Sequence, residues 1–324
     1  MYAVTGMLFT LWQQGDGWRW IIDCEIETTT PNTQLVGGSC MTAGADIDLL
    51  CSYWTLAGDA EPSKREWSRI DIEDRIRTAS ATGFTGIGIW HADLQHISGT
   101  RSLTDLRDIL DRHGITGLEL EFIEDWFLDE HDTRRQAADV RREFLLEAAD
   151  ILDAAHVKVG DFSELHPTIE QATRAFGMLC DEAAERGTQI GLEFVARDGT
   201  LNDFENARTI VRDANRPNGG LLLDSWHLTH LGVTEDDLAT LTPADITAVE
   251  LNDGPLEGLG PRATVHERCY PGDGAFALDT MIRAIEAIGY RGPWGVEILS
   301  RELRQEGYEK VCEQAYVSTM KYFD

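Results

Sequence analysis

The sequence predicts an α/β fold: a single-domain (β/α)8 TIM barrel with an irregular N-terminal extension. From residue 47 onward, short β-rich segments alternate with longer helical patterns, which is typical of parallel βα units. Eight such pairs can be counted, and eight pairs close a barrel. No G-x-G-x-x-G or Walker A sequence follows any of these segments, which disfavours the alternative fold, a doubly wound nucleotide-binding sheet.

The predicted strands are short apolar segments bounded by turn residues. They are Ile47–Trp54, Gly86–Trp90, Gly117–Phe122, Val157–Gly160, Gln189–Val195, Gly220–Leu223, Ile246–Leu251 and Trp294–Leu299. The helices predicted between them lie near 70–82, 102–113, 133–155, 166–186, 203–214, 234–241, 276–289 and 302–322. A glycine that suits a helix end precedes several strands, as at positions 83, 114, 187 and 289.

Residues 1–44 follow a different pattern from the rest of the chain. Trp12, Trp18 and Trp20 lie among polar residues and glycines, and no periodicity is sustained. We interpret this segment either as a disordered extension or as an upstream start-site assignment, because Met41 precedes the first predicted strand. The barrel domain is expected to span residues 45–324.

Acidic residues dominate the charge of the chain. It has 57 Asp and Glu against 28 Lys and Arg, for a net charge of −29. Such a surface repels phosphate backbones and anionic lipids, so neither nucleic acid nor a membrane is an expected partner. Six scattered cysteines without a C-x-x-C pair indicate reduced thiols, and no export signal or membrane-spanning run is recognised. A cytoplasmic protein is therefore expected.

Four successive predicted strands each carry one acid among apolar residues. These acids are Glu193, Asp224, Glu250 and Glu297. In such barrels the catalytic groups lie at the carboxyl ends of the strands, so we expect the four side chains to converge. Burying unpaired carboxylates costs several kcal/mol each. Among the lysines only Lys158 falls on a predicted strand, so a divalent cation is the simpler source of positive charge.

Oxygen-rich ligands favour one hard divalent ion, Mn²⁺ or Mg²⁺, with Co²⁺ and Zn²⁺ as alternatives. Each acid taken alone has competing interpretations, because it could cap the following helix or pair with an arginine. Capping competes most strongly at Asp224, which Ser225 follows. The occurrence of acids on four successive strands favours the metal hypothesis.

These strands resemble the xylose isomerase-like superfamily of sugar isomerases and epimerases, which includes sugar phosphate isomerase/epimerases, ketose 3-epimerases, inosose dehydratase-like enzymes and barrel-type apurinic endonucleases. The segments that carry the resemblance are Gly191-Leu192-Glu193, Asp224-x-x-His227, Val249–Asp253, Arg268–Gly274 and Val296-Glu297. Residues 45–165 match mainly in their alternation of elements. The resemblance implies an isomerase or epimerase that acts on a sugar or keto-polyol by carboxylate-mediated proton transfer next to a metal-bound carbonyl.

Carried over by position, the resemblance also implies roles for single residues. The implied metal ligands are Glu193, Asp224, Glu250 and Glu297, of which Glu193 and Glu297 form the catalytic proton-transferring pair. His227 and Arg268 correspond to the substrate-orienting pair. The sequence departs from the family at Glu250, where relatives often carry His or Gln, and at Gly88, where many carry an acid.

Three further residues are candidates for substrate binding. His91 follows the second predicted strand, and its alternative interpretation is a packed structural histidine. Glu121 and Lys158 lie on the third and fourth strands. They could form an internal ion pair or contact substrate hydroxyls, and the sequence does not distinguish these two arrangements.

Other functions compatible with the same scaffold are kept as alternatives. The first is a lyase, either a keto-inositol dehydratase or a 3-oxo-glycoside C-deglycosidase-like enzyme with a small β partner subunit. An apurinic endonuclease is disfavoured by the net charge, and a non-catalytic barrel would bind no metal. The expected partner is a small sugar or polyol, and self-association as a homo-oligomer is left open.

Overall fold

The computed structural model describes residues 8–14, 17–23, 47–260 and 264–324. The chain divides into two units, Met1–Ala43 and Gly44–Asp324. In the first unit, strands β1 (Leu8–Gln14) and β2 (Gly17–Asp23) form an antiparallel hairpin that the sequence analysis did not predict. The predicted boundary between residues 44 and 45 lies outside the described residues and stays a prediction.

The second unit contains eight parallel strands that close into a barrel. They are β3 (Leu49–Cys51), β4 (Gly86–Trp90), β5 (Gly117–Ile123), β6 (His156–Val159), β7 (Gln189–Glu193), β8 (Gly219–Asp224), β9 (Ile246–Leu251) and β10 (Trp294–Val296). Their order around the barrel is the order of the sequence, and β10 closes the ring by pairing with β3. The predicted (β/α)8 fold is confirmed.

Helices surround the strands. Those described are α1 (Tyr53–Leu56), α2 (Ile72–Thr82), α3 (His91–Ser98), α4 (Leu103–Arg112), α5 (Thr133–Leu152), α6 (Ile169–Ala184), α7 (Phe204–Ala214), α8 (Ser225–Leu231), α9 (Glu235–Leu238), α10 (Leu278–Ala287) and α11 (Tyr308–Met320). Short 3₁₀ helices lie at Thr200–Asn202, Pro243–Asp245 and Leu303–Gln305. No helix in the described part of the chain has the length and apolar character needed to span a bilayer.

The structure differs from the predicted elements mainly where strands end. The predicted strand Ile47–Trp54 contains three strand residues and then enters α1. Helices α3 and α8 begin immediately after β4 and β8 and were not predicted, and His91 is the first residue of α3. A short apolar run does not distinguish a strand from the first turn of a buried helix, which explains these errors.

Alternation along the strands separates an apolar layer from a polar interior. On β4 and β5, Ile87, Ile89, Leu118 and Leu120 belong to the apolar core. The residues between them, such as Glu119, have the opposite orientation and face the inside of the barrel. Branched apolar residues usually fill this interior. Here several buried acids stand in their place, and they define the candidate site.

Candidate active site

The four acids predicted on successive strands lie together inside the barrel. Each offers one carboxylate oxygen, and these four oxygens lie within 4.8 Å of one another. Glu193, Asp224 and Glu250 are on β7, β8 and β9, and Glu297 follows β10 directly. None of the four is more than 4% exposed. The structure therefore brings the candidate ligands to one point, while their role as ligands stays a prediction.

Lys158 extends from β6 into the middle of this cluster. Its Nζ lies 2.8 Å from Glu250 Oε2, 2.9 Å from Glu297 Oε1 and 3.3 Å from Glu121 Oε2. Of the two arrangements left open for Glu121 and Lys158, the ion pair is therefore present. Burial alone would lower the pKa of Lys158, but the surrounding glutamates raise it well above the usual value, so this ammonium remains charged.

Arg268 supplies a second buried cation from the loop after β9. Its Nη1 donates to Asp224 Oδ2 at 2.9 Å and to Glu297 Oε2 at 2.5 Å. Pairing of an acid with an arginine was one of the competing interpretations, and it is present at Asp224. The sequence did not identify Arg268 as that arginine, because a loop residue shows no periodicity that would place it in the interior.

Negative charge still exceeds positive charge in this part of the barrel. Six buried carboxylates surround the two permanent cations Lys158 and Arg268: Glu119, Glu121, Glu193, Asp224, Glu250 and Glu297. Burial and the neighbouring acids raise the pKa of Glu121 and Glu250 well above the usual value. Burial also raises the pKa of Glu297. A divalent cation would relieve the same repulsion, so the donor set and its charge fit such an ion.

Asp224 serves two purposes with its two oxygens. Its Oδ1 accepts hydrogen bonds from the backbone N–H of Trp226 at 2.7 Å, which caps α8, and from Asn252 Nδ2 at 3.0 Å. Its Oδ2 contacts Arg268. Burial would raise its pKa, but the charge of Arg268 lowers it, so the carboxylate is ionised. Helix capping and membership of the cluster, which the sequence analysis treated as competitors, coexist.

Several residues that the sequence analysis did not single out support the cluster. Ser52 Oγ donates to Glu250 Oε1 at 2.6 Å. Beside Lys158, Glu119 Oε2 lies 2.7 Å from His156 Nε2. Burial would raise the pKa of Glu119, but Lys158 and His156 lower it to about 2. The two-residue spacing of Glu119 and Glu121 on one strand was the available signal, since it places both on the same face.

The structure gives a physical reason for Gly88, one of the two departures from the family pattern. A Cβ at this position would lie 2.8 Å from Glu121 Oε1 and 3.0 Å from Glu119 Oε1. The acids of β5 therefore occupy the space of a side chain on β4. Similarly, a Cβ at Gly295 would lie 2.9 Å from Glu250 Cγ, so the glycine on β10 leaves room for Glu250.

A cavity of about 650 Å³ adjoins the cluster. Its polar lining includes the site candidates His91, Glu121, Glu193, His227, Arg268 and Glu297. An apolar wall is formed by Trp54, Trp90, Phe122, Phe162 and Leu299. Lys158, Asp224 and Glu250 are not among its lining residues and lie behind the others. A substrate in the cavity would thus meet Glu193 and Glu297 directly.

Two of the three histidines that line the cavity, His227 and His91, are site candidates, and they are held in different ways. The backbone N–H of Ala196 donates to His227 Nδ1 at 2.9 Å, which leaves the proton of the neutral ring on Nε2. That atom lies 3.5 Å from Glu193 Oε1. His91 is 9% exposed, and burial and then the charge of Arg141 lower its pKa to about 3, so it is neutral.

Comparisons with known proteins give a consistent relationship. The family model described as xylose isomerase-like TIM barrel matches residues 76–315. The chain is 28% identical over 246 residues to 3-dehydroshikimate dehydratase of Pseudomonas aeruginosa, which covers 72% of this chain and 37% of the relative. It is 33% identical over 144 residues to inosose isomerase of Bacillus subtilis, which covers 44% of this chain and 50% of the relative. The chain thus spans between about a third and a half of these relatives.

A solved structure shows the same fold. The crystal structure of the IOLI protein with a bound zinc atom superposes with a TM-score of 0.76. The superposition covers 86% of this chain and 98% of that one, at 24% sequence identity. At this identity the likeness establishes the fold alone, and the zinc belongs to that protein.

Proposed function

Because the chain belongs to the xylose isomerase-like TIM barrel family, we propose that it is a divalent-metal-dependent isomerase or epimerase that acts on a sugar or keto-polyol. The observation that carries the proposal is the convergence of four buried carboxylates beside a cavity. The relatives are isomerases, epimerases and dehydratases. The activities of these relatives support an enzyme of this general kind.

We assign the metal to Glu193, Asp224, Glu250 and Glu297. Their oxygen ligands and the excess of negative charge suit a hard ion, Mn²⁺ or Mg²⁺, and the zinc in the IOLI protein keeps Zn²⁺ as an alternative beside Co²⁺. When bound, such an ion supplies Lewis acidity that polarises a substrate carbonyl.

Glu193 and Glu297 are proposed to move the proton on the carbon next to that carbonyl. Both line the cavity, from strands three positions apart around the barrel. No lysine or arginine of the described residues forms a salt bridge with Glu193, which leaves its oxygens available as a base. Glu297 has a raised pKa from burial, which suits a group that returns a proton. Arg268 and Lys158 hold its two oxygens in place.

His227 and Arg268 are proposed to orient the substrate. His227 Nε2 carries the ring proton and can donate to a substrate oxygen that lies near Glu193. Arg268 Nη2 lies 3.4 Å from the same nitrogen, so both donors face one region of the cavity. His91 and Glu121 line the cavity too and remain candidates for contacts with substrate hydroxyls.

Proton exchange tests the proposal. We expect the protein, incubated with candidate ketoses and keto-inositols in deuterated water with Mn²⁺, to label the carbon next to the carbonyl, as followed by NMR. Glu193→Gln and Glu297→Gln should each abolish the labelling. Glu164→Gln is the matched control, because Glu164 lines the cavity but is exposed and outside the cluster. Labelling that survives in both cluster variants would contradict the proposal.

Dehydration of a cyclic hydroxy-ketone is the second candidate function. The match to 3-dehydroshikimate dehydratase covers 72% of this chain, whereas the match to inosose isomerase covers 44%. The same removal of a proton next to a carbonyl allows a hydroxyl on the adjacent carbon to leave as water. Mass spectrometry of the products distinguishes the two reactions. A product that has lost one water selects the dehydratase, and an isomer of unchanged mass selects the isomerase or epimerase.

A further inference from the structure

The pair formed by Lys158 and Glu250 is unusual for the interior of a barrel. Lys158 Nζ lies 2.8 Å from Glu250 Oε2, and both residues are at most 1% exposed. The other oxygen of Glu250 accepts from Ser52 Oγ at 2.6 Å. Lys158 Nζ also lies 2.9 Å from Glu297 Oε1. One oxygen of Glu250 is thus held by a hydrogen bond from Ser52, and the other lies in an ion pair with Lys158.

The surroundings of Lys158 argue against a direct contact with substrate. Its ammonium is enclosed by Glu119, Glu121, Glu250 and Glu297, and the residue is not part of the cavity lining. A carbonyl carbon in the cavity would have to displace these carboxylates to reach the amine. The chemical effect of Lys158 therefore acts through the acids that it contacts.

The charge of the cluster also indicates that Lys158 acts through the acids that it contacts. Four candidate ligands would present four negative charges to an ion that carries two positive charges. Arg268 contacts Asp224 and Glu297, but it does not contact Glu250. Lys158 is thus the one permanent cation beside Glu250 among the described residues. The glycine at 295 leaves the room for the Glu250 side chain to reach it.

We propose that Lys158 is a positioning residue that sets the charge of the carboxylate cluster: its ammonium cancels the charge of Glu250 and keeps Glu250 and Glu297 directed at one point. The pairing of Lys158 with Glu250 is supported by their distance and burial. The identification of the cluster as a metal centre rests on the proposed function, so the pairing and the metal centre are tested by separate measurements.

The test is a double-mutant cycle of Lys158→Met, Glu250→Gln and the combination of both. In metal-free protein, Lys158→Met should lower the urea midpoint of unfolding, because it leaves buried acids without their cation. The double variant should recover more than half of that loss. Mn²⁺ titration calorimetry should show affinity about tenfold higher in Lys158→Met and about tenfold lower in Glu250→Gln, since each removes one full charge near the ion. The double variant should lie within about threefold of the wild type, because the two adjacent substitutions remove opposite charges and leave the net charge beside the ion unchanged.

Glu124→Gln combined with Lys158→Met is the matched control. Glu124 lines the same cavity, but it pairs with Arg141 at 2.9 Å and not with Lys158. Removal of this charge should therefore restore neither the urea midpoint nor the wild-type Mn²⁺ affinity. The proposal is overturned if the Lys158→Met/Glu250→Gln variant is no better than Lys158→Met, or if Glu124→Gln rescues equally well.

The two proposals fail in different ways. If the wild type binds no divalent ion, the proposed function is wrong, and the urea measurements on metal-free protein still decide the pairing. If Lys158→Met does not fold without metal, folding of the double variant under the same conditions supports the pairing. Failure of both variants to fold, with Glu250→Gln folded, contradicts it.

Discussion

Alanine at position 88 would place a methyl group in space that two buried carboxylates occupy. The added Cβ would lie 2.7 Å from the backbone nitrogen of Tyr53, 2.8 Å from Glu121 Oε1 and 3.0 Å from Glu119 Oε1. Favourable contacts of a carbon atom need roughly 3.5–4.0 Å, so all three are too short by about half an ångström or more. The Tyr53 nitrogen belongs to the backbone, and Lys158 and His156 hold the carboxylates, so none of these atoms can easily retreat.

We expect Gly88→Ala to destabilise the protein by about 1–3 kcal/mol, the usual cost of overpacking a buried site. Gly191→Ala is the matched control, because Gly191 also lies on a barrel strand and its Cβ would meet its nearest neighbours at 3.5–3.6 Å, an ordinary contact. Urea unfolding of both variants measures the difference. Equal stability of the two variants would refute the reasoning that the acids of β5 fill the space beside position 88.

Three further outcomes follow from the structure. His91 has a pKa of about 3 because of burial, against about 6.5 when unfolded, so the stability it contributes is present above about pH 6.5 and is lost as the pH falls towards 3. Between pH 7.5 and pH 5 the unfolding free energy of the wild type should fall by up to about 2 kcal/mol more than that of His91→Phe. Urea unfolding of both proteins at the two pH values measures this difference. Asp253 accepts backbone hydrogen bonds from Gly272 and Phe276 at 3.0 and 2.9 Å. The backbone of Asp253 also exchanges hydrogen bonds with Cys269, the residue after Arg268. Asp253→Asn should therefore destabilise the protein by about 2 kcal/mol and weaken substrate binding by displacing Arg268, whereas unchanged substrate affinity in calorimetry would disprove that link. Addition of Mn²⁺ at about 100 times its dissociation constant should raise the unfolding free energy of EDTA-treated protein by about 2.7 kcal/mol, and an unchanged urea midpoint would count against a bound ion.

The sequence was sufficient to predict the barrel because its strands and helices differ in length and period. The alternation of β-rich and helical segments gave the eight strands, and the family match confirms the resemblance drawn from strands five to eight. Helix α3 was missed because it continues an apolar run without a turn residue, and such a run gives no sign of where extended backbone ends. Helix α8 was missed although Asp224, which caps it, had been considered as a helix cap.

The convergence of the acids was likewise open to prediction, because strand ends in a barrel face one region. The residues that pair with these acids could not be predicted. Arg268 reaches the cluster from a loop, and the contact between Ser52 and Glu250 joins residues 198 positions apart. Glu119 was overlooked although its two-residue spacing from Glu121 places both on the same face of β5, and its pairing with His156 could not be read from the sequence. Contacts of this kind depend on loop paths and side-chain directions that local sequence patterns do not encode.

The most direct test of the account is a crystal structure of the protein grown with saturating Mn²⁺, with anomalous data collected at the manganese edge. We expect one anomalous peak per chain, bonded to Glu193, Asp224, Glu250 and Glu297, whose oxygens already lie within 4.8 Å of one another. The absence of a peak among these four carboxylates, with Lys158 and Arg268 remaining their sole cations, would contradict the metal centre on which the proposed chemistry depends.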